Sequence, residues 1–255
     1  MATAMKTSKI KRSDFLIDLH SHYLPRIDDG AKNVSESIEM LLDSFRQGVS
    51  LCVATPHCTV HRTADIEHFL EVREHSIEKL NSEKERKSVT LPKQLYGAEI
   101  YLDNNINAYP DIEKLCIGET NLLLVEFPLE KYNHACADWL HDLNLKGIRP
   151  VVAHIDRYMF WQEMLNDFQG LDIVYQINAA RFLSFSGRRF IKKLLKCHLF
   201  YVASSDMHNM QNRSCNMSDA YEKADKWLGK KTALKLFQTN AKKLFTVEQK
   251  EQGEL

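Results

Sequence analysis

The 255-residue chain holds 34 Lys and Arg against 34 Asp and Glu, for a formal net charge of zero. That balance argues against general nucleic-acid affinity, which needs a basic surface to neutralise phosphates. No apolar stretch approaches the roughly 18 residues of a membrane span, and six cysteines without a C-x-x-C pair point to reduced thiols in a cytoplasmic protein rather than a disulfide framework.

Residues 1–14 are polar and basic, lack the apolar core of a secretory signal, and are expected to form a flexible arm. A first strand, Phe15-Leu16-Ile17, leads to His20 and His22 and then to Asp28-Asp29-Gly30. A helix follows, with Ile38, Leu41, Leu42 and Phe45 as one stripe and Gly48 as its stop. The strand Leu51 to Ala54 ends in Thr55-Pro56-His57. Ile66, Phe69, Leu70, Ile77 and Leu80 mark a second helix, and the charged run 81–87 is a surface loop or its end. Gln94-Leu95-Tyr96 runs into Gly97-Ala98-Glu99, and Leu122 to Val125 runs into Glu126. A helix over Ala135 to Leu143 precedes the strand Val151-Val152-Ala153, which ends in His154 with Arg157 three residues on. Ile173-Val174-Tyr175 leads to Asn178. Phe190, Ile191, Leu194 and Leu195 stripe another helix, whose Arg188, Arg189, Lys192, Lys193 and Lys196 read as a solvated face. Phe200-Tyr201-Val202 reaches Asp206, His208 and Arg213. A last helix carries Leu234, Phe237, Ala241, Leu244 and Phe245, and residues 248–255 are expected to be a flexible tail.

About seven strand–helix units in one domain over residues 15–247 imply a mostly parallel sheet, closed or nearly closed into a barrel, with an open doubly wound sheet as the fallback. In such barrels catalytic groups collect at the C-terminal strand ends. Any one of the polar residues there has a structural explanation: a His satisfied by a neighbour, a Glu capping the next helix, an Asp-Asp-Gly turn. Their coincidence at one rim does not. His20 and His22, at i and i+2 of a strand, share a face. With His57, Glu99, Glu126, His154, Asp206, His208 and one of Asp28 and Asp29 they make nine candidate ligands. Neighbouring buried carboxylates repel one another, and divalent cations remove that penalty while holding imidazoles as neutral ligands. Nine ligands suffice for two or three ions, and mixed His and carboxylate ligation suits Mn, Fe or Zn.

Clustered divalent ions activate water and clamp an oxyanion, so phosphate-ester hydrolysis is the expected reaction. Arg157 and Arg213, at the same rim, suit the non-attacking phosphate oxygens. A cysteine-based phosphatase needs Arg six positions after its nucleophile; the residues there are Cys58, Ala64, Leu122, Asp142, Ala203 and Tyr221. No G-x-S-x-G, Walker-type or G-x-G-x-x-G segment occurs.

The run Asp18-Leu19-His20-Ser21-His22, then Leu24-Pro25 and Ile27-Asp28-Asp29-Gly30-Ala31, resembles the opening of bacterial PHP-type (CpsB/YwqE-like) tyrosine-protein phosphatases. Ala54-Thr55-Pro56-His57, Gly97-Ala98-Glu99, Glu126-Phe127-Pro128, Ala153-His154, Arg157-Tyr158, Gln176-Ile177-Asn178-Ala179 and Ser205-Asp206-Met207-His208-Asn209 continue it in order over nearly the whole chain. The resemblance implies a distorted (β/α)7 TIM-like barrel of the PHP type. It implies two or three divalent ions, manganese first, with Fe, Zn, Co or Mg as alternatives. It implies hydrolysis of phosphotyrosine on a bacterial tyrosine autokinase that controls capsule or exopolysaccharide synthesis; with metal-activated water as the nucleophile, no covalent phosphoenzyme is expected. Carried over by position, His20, His22, Glu126 and Asp206 would hold one ion, Asp29, His57 and His208 a second, and Glu99, Glu126 and His154 a third. Two departures stand out: Arg26 where the family usually has Gly, and Ile155 where it commonly has Pro. The rival readings are a histidinol-phosphate phosphatase or phosphodiesterase of the same superfamily, a metal-dependent amidohydrolase, and a catalytically silent metal-stabilised scaffold.

Overall fold

The computed structural model describes residues 15–246; the expected arm (1–14) and tail (248–255) lie outside them. Nine parallel strands are present among the described residues: β1 (Leu16–Asp18), β2 (Val49–Ala54), β3 (His57–Thr59), β4 (Lys93–Tyr96), β5 (Glu99–Tyr101), β6 (Leu122–Glu126), β7 (Arg149–Val152), β8 (Val174–Asn178) and β9 (Tyr201–Ser204). They form two sheets, ordered β1-β2-β4 and β3-β5-β6-β7-β8-β9. Every pairing is parallel.

The two sheets are one ring interrupted twice. β2 passes into β3 at Thr55-Pro56, where proline has no amide hydrogen for the ladder, and β4 passes into β5 at Gly97-Ala98. Backbone bonds bridge these breaks, from Gly97 N–H to the Ala54 carbonyl (2.8 Å) and from Glu99 N–H to that of Pro56 (3.0 Å). The ring closes beyond β1 and β9. A parallel bridge joins Ser21 to Met207. Asp206 N–H donates to the His20 carbonyl and His22 N–H to that of Met207, both at 2.9 Å. The result is a distorted barrel of seven strand positions, the architecture expected from the alternating pattern.

Strands buried on both faces read as continuous apolar runs, and this chain shows why. Ile17, Leu19, Val53, Leu122, Leu124, Val151, Ala153, Val174 and Val202 pack in one cluster, and Leu16, Cys52, Ala54, Leu123, Val125, Val152, Tyr175, Ile177 and Ala203 in another facing the helices. Leu122 and Leu124 thus point one way, and Leu123 and Val125 the other, at the period of two that a strand imposes.

The helices are α1 (Val34–Arg46), α2 (Thr63–Lys87), α3 (Cys136–Leu145), α4 (Trp161–Asp167), α5 (Phe185–Leu194), α6 (Met217–Leu228), α7 (Lys230–Leu234) and, after a π turn at Lys235–Thr239, α8 (Asn240–Thr246). The Asn33 side chain accepts the Glu36 N–H at the start of α1. The charged run 81–87 is the end of α2. Ala241 and Leu244 of α8 join the inner cluster, and Asn240 Nδ2 donates to the Tyr201 carbonyl at 2.7 Å. The last helix therefore packs against the barrel's inner core, and the polar cluster lies at the C-terminal strand ends. No helix among the described residues is long and apolar enough to cross a membrane.

Candidate metal centre

His20 and His22 are fully buried just past β1, and their Nε2 atoms face each other at 3.1 Å. Each ring is held from behind. His22 Nδ1 lies 2.6 Å from Asp28 Oδ2 and His20 Nδ1 lies 3.2 Å from Gln176 Oε1. Both acceptors favour the ring proton on Nδ1, so each ring, when neutral, carries its lone pair on Nε2, toward the cluster.

Into the same space comes Glu99 from β5. Its Oε2 lies 3.1 Å from His20 Nε2, 3.3 Å from His22 Nε2 and 3.1 Å from His57 Nδ1, and its Oε1 lies 3.1 Å from His154 Nε2. Asp206 Oδ1 approaches His20 and His22 at 3.5 and 3.6 Å. Glu126 sits between His154 (3.2 Å) and His57 (3.9 Å). Asp29 Oδ1 meets His208 Nε2 at 3.2 Å and His57 Nε2 at 3.5 Å. All nine predicted ligands thus fall into one continuous cluster. Three subsets present ligand atoms within 4.8 Å of one another: His20, His22 and Asp206; His57, Glu99 and Glu126; and His22, Asp29, His57 and His208.

The grouping differs from the one the resemblance implies. Glu99, not Glu126, meets both His20 and His22. The reason is register: β3 pairs with β5 so that His57 stands opposite Glu99, whose side chain is wholly buried, whereas Glu126 ends the next strand round and is partly exposed. Asp28 and Asp29 are placed differently in the fold. Asp28 Oδ2 is engaged by His22 Nδ1 and by the His57 N–H (3.0 Å), and Oδ1 accepts the Gly30 N–H (2.9 Å). Asp29 is 65 % exposed and aims at His57 and His208.

Two cluster residues hold left-handed backbone that side chains rarely adopt, His154 at φ 29° and Asp206 at φ 53°. Val151 and Ala153 face the inner core, so simple alternation would send His154 outward. The turn in its backbone redirects it to Glu99 and Glu126. Arg26 is also left-handed (φ 62°), so the arginine stands where glycine would be unstrained.

The electrostatics fit a cation. Glu99 Oε2 and His208 Nε2 are buried without a hydrogen-bond partner among the described residues. Burial pulls the His22 pKa down, but Asp28 and Glu99 outweigh it and hold the group at about 10; for His154 burial is likewise outweighed, by Glu126 and Glu99, at about 9. Burial acts upward on Glu99 and Asp206, yet the surrounding imidazoles hold Glu99 well below the carboxylate range and Asp206 at about 2. The ring therefore takes up protons where positive charge is wanted, and a divalent ion supplies that charge in their place.

The two predicted arginines flank the cluster. Arg157 Nη1 is 3.8 Å from Glu126 Oε1; Arg213 donates from Nη2 to Asp206 Oδ1 at 2.9 Å and lies 3.7 Å from Asp29. Both are roughly one-third exposed and so open to a ligand. The sequence pointed to Asp28 as an alternative ligand and to Asn178 at a strand end, but not to their contacts: Asp28 is the partner of His22, Gln176 that of His20, and Asn178 donates to Asp206 Oδ2 at 3.1 Å. Gln176 and Asn178 stand at i and i+2 of one strand, the same spacing that singled out the histidine pair.

The family described as Capsular polysaccharide synthesis, CpsB/CapC, matches residues 16–246. Tyrosine-protein phosphatase CpsB of Streptococcus pneumoniae is 32 % identical over 248 residues, covering 90 % of this chain and 98 % of its own. Tyrosine-protein phosphatase YwqE of Bacillus subtilis is 28 % identical over 223 residues, covering 84 % and 85 %. A chain from the crystal structures of YwqE from Bacillus subtilis and CpsB from Streptococcus pneumoniae, described as unique metal-dependent tyrosine phosphatases, matches with a TM-score of 0.72 at 26 % identity over 86 % of this chain and 90 % of that one. With a seven-position parallel barrel, a His and carboxylate ring at its C-terminal rim and this match over almost all the described residues, the chain belongs to the CpsB/CapC capsular polysaccharide synthesis family.

Proposed function

We propose that the protein is a metal-dependent protein-tyrosine phosphatase of the cytoplasm, acting on a bacterial tyrosine autokinase in capsule or exopolysaccharide synthesis. The observation that carries this reading is the meeting of His20 and His22 Nε2 with Glu99 and Asp206, an arrangement of lone pairs and carboxylates that calls for cations. His20, His22, Glu99 and Asp206 would hold one ion, His57, Glu99, Glu126 and His154 a second, and Asp29, His57 and His208 a third, with manganese the first choice. When bound, such ions lower the pKa of water and neutralise phosphate charge.

The chain's own residues supply the rest. Arg157, beside Glu126, and Arg213, beside Asp206, offer forked donors to the phosphoryl oxygens. Their carboxylate partners Glu126 and Asp206 keep each guanidinium aimed inward. A tyrosyl leaving group has a pKa of about 10, so departure needs less protonation than an alkoxide would. The thiols are poorly suited to nucleophilic work: five of the six cysteines are buried, and burial pushes Cys58 and Cys136 up to about 12.

The test is turnover of a phosphotyrosine peptide, a phosphoserine peptide, histidinol phosphate and a phosphodiester, with manganese and then with chelator. Fastest release of phosphate from phosphotyrosine, lost on chelation and restored by manganese, is expected. Preference for histidinol phosphate or the diester would overturn the substrate, and bound metal without turnover would favour the scaffold. Glu126→Gln separates the last case, since it should cost a phosphatase at least 100-fold in kcat/KM and a scaffold nothing.

A further inference from the structure

β8 is the strand position that brings no candidate ligand to the rim, yet its side chains touch ligands on both sides. Gln176 is wholly buried. Its Oε1 accepts a hydrogen bond from the His154 backbone N–H and also faces His20 Nδ1 at 3.2 Å. Its Nε2 donates to Asn178 Oδ1 at 2.8 Å, and Asn178 Nδ2 donates to Asp206 Oδ2 at 3.1 Å.

The direction of every bond in this chain is set by one group that cannot change. A backbone N–H only donates, so the atom facing His154 N is the amide oxygen. The same oxygen can only accept from His20, which puts the ring proton on Nδ1 and the lone pair on Nε2, toward Glu99 and Asp206. The amide nitrogen of Gln176 then faces Asn178 Oδ1, which leaves Asn178 Nδ2 for Asp206. One oxygen thus fixes the tautomer of His20 and anchors the left-handed backbone at His154. The next amide holds the carboxylate of Asp206, also on left-handed backbone.

We infer that Gln176 and Asn178 are positioning residues that set the affinity of the cluster for divalent cations, with Gln176 linking the cation position at His20 and Asp206 to the one at His154. The inference rests on the metal-centre reading above. Partners behind a ligating histidine fix its tautomer and raise its basicity, and losing one typically costs about 10- to 100-fold in metal affinity. Gln176 serves two ligand residues with one atom, so its loss should reach more than one ion.

The experiment is calorimetric titration of the full chain with Mn2+ alone, on the wild type and on Gln176→Leu, Gln176→Glu and Asn178→Ala, with bound metal counted after desalting. Gln176→Leu should bind about 10- to 100-fold more weakly and retain fewer ions. Gln176→Glu keeps both acceptor bonds but loses the donor to Asn178 Oδ1, so it should recover only part of the affinity, whereas a volume-filling role predicts that Gln176→Leu, close in size, binds like the wild type. Asn178→Ala, at the partly exposed end of the strand, keeps the test informative if Gln176→Leu does not fold, and should weaken binding more mildly. In metal-free protein, imidazole 15N shifts should show His20 protonated at Nδ1 in the wild type and a mixed population in Gln176→Leu. Variants that bind Mn2+ within twofold of the wild type overturn the inference while leaving the metal centre standing. A wild type that binds none removes the metal centre itself, and the inference with it.

Discussion

Imidazoles and carboxylates at van der Waals distance make the ion-free cluster a proton store. His22 and His154 are held at about 10 and about 9, against an ordinary 6.5. A histidine whose pKa is raised by folding stabilises the native state fully below its unfolded value, and that contribution disappears as pH rises through the folded value. In chelator, the melting temperature should therefore fall as pH is taken from about 6.5 up through 9 to 10. His208, held at about 4 by burial and by His22, acts on the acid side instead. Because bound cations displace those protons, apparent Mn2+ affinity should rise over the same alkaline window. Calorimetry in EDTA and Mn2+ titrations at several pH values check both; a flat metal-free profile above pH 7 would refute the charge assignment. At this scale the residue types were legible: the nine candidates named from the sequence meet in one cluster, and His, Asp and Glu at strand ends need no coordinates to be noticed. The supporting contacts of Asp28, Gln176 and Asn178 were not, because an amide or a turn Asp looks ordinary until the ligand it supports lies beside it.

The loop from β1 to α1 shows how an element places a side chain. It is pinned by Ala31 N–H to the His22 carbonyl (3.0 Å) and by Arg26 N–H to the Ala31 carbonyl (2.9 Å), so Gly30 passes directly over His22. A Cβ at Gly30 would run into the His22 carbonyl and come within 2.7 Å of the His22 Cβ. Gly30→Ala should therefore displace His22, weaken Mn2+ binding and lower kcat/KM by about 100-fold or more, the cost of misplacing a reacting array by about 1 Å. Far-UV circular dichroism should remain unchanged, since the collision is confined to the rim; full activity in this variant would show that His22 is not held where the loop puts it. Seven strands and the helices around the stripes at 38–45, 66–80 and 190–195 were legible from apolar period alone. Phe45, counted in the first stripe, is 44 % exposed and flanks the core rather than filling it. β3 and β5 were missed because each is three residues long and resumes only after Thr55-Pro56 or Gly97-Ala98. α4 is too short to show a period, and α6 buries Ala220 and Ala224, whose small side chains leave a faint stripe.

Across the whole molecule the ligand candidates run from residue 20 to residue 208 and come from six of the seven strand positions. Ions bound there tie together segments that only the folded barrel assembles, so they bind the native state alone. Mn2+ at 100 times its dissociation constant should add about 2.7 kcal/mol of stability. A melting temperature that climbs with Mn2+ and drops back with EDTA is the expected result, and insensitivity to both would contradict the site. The sequence by itself determined the strand–helix alternation and the polar residue at each strand end, because side-chain period and strand-end position are local properties. Only the tertiary structure decided that Glu99 rather than Glu126 faces His20 and His22, and that Gln176 reaches His20 across 156 residues of chain. Those pairings depend on β3–β5 register, on the closure of β9 onto β1 and on left-handed backbone at His154 and Asp206, where strain in one residue is balanced by contacts remote in sequence.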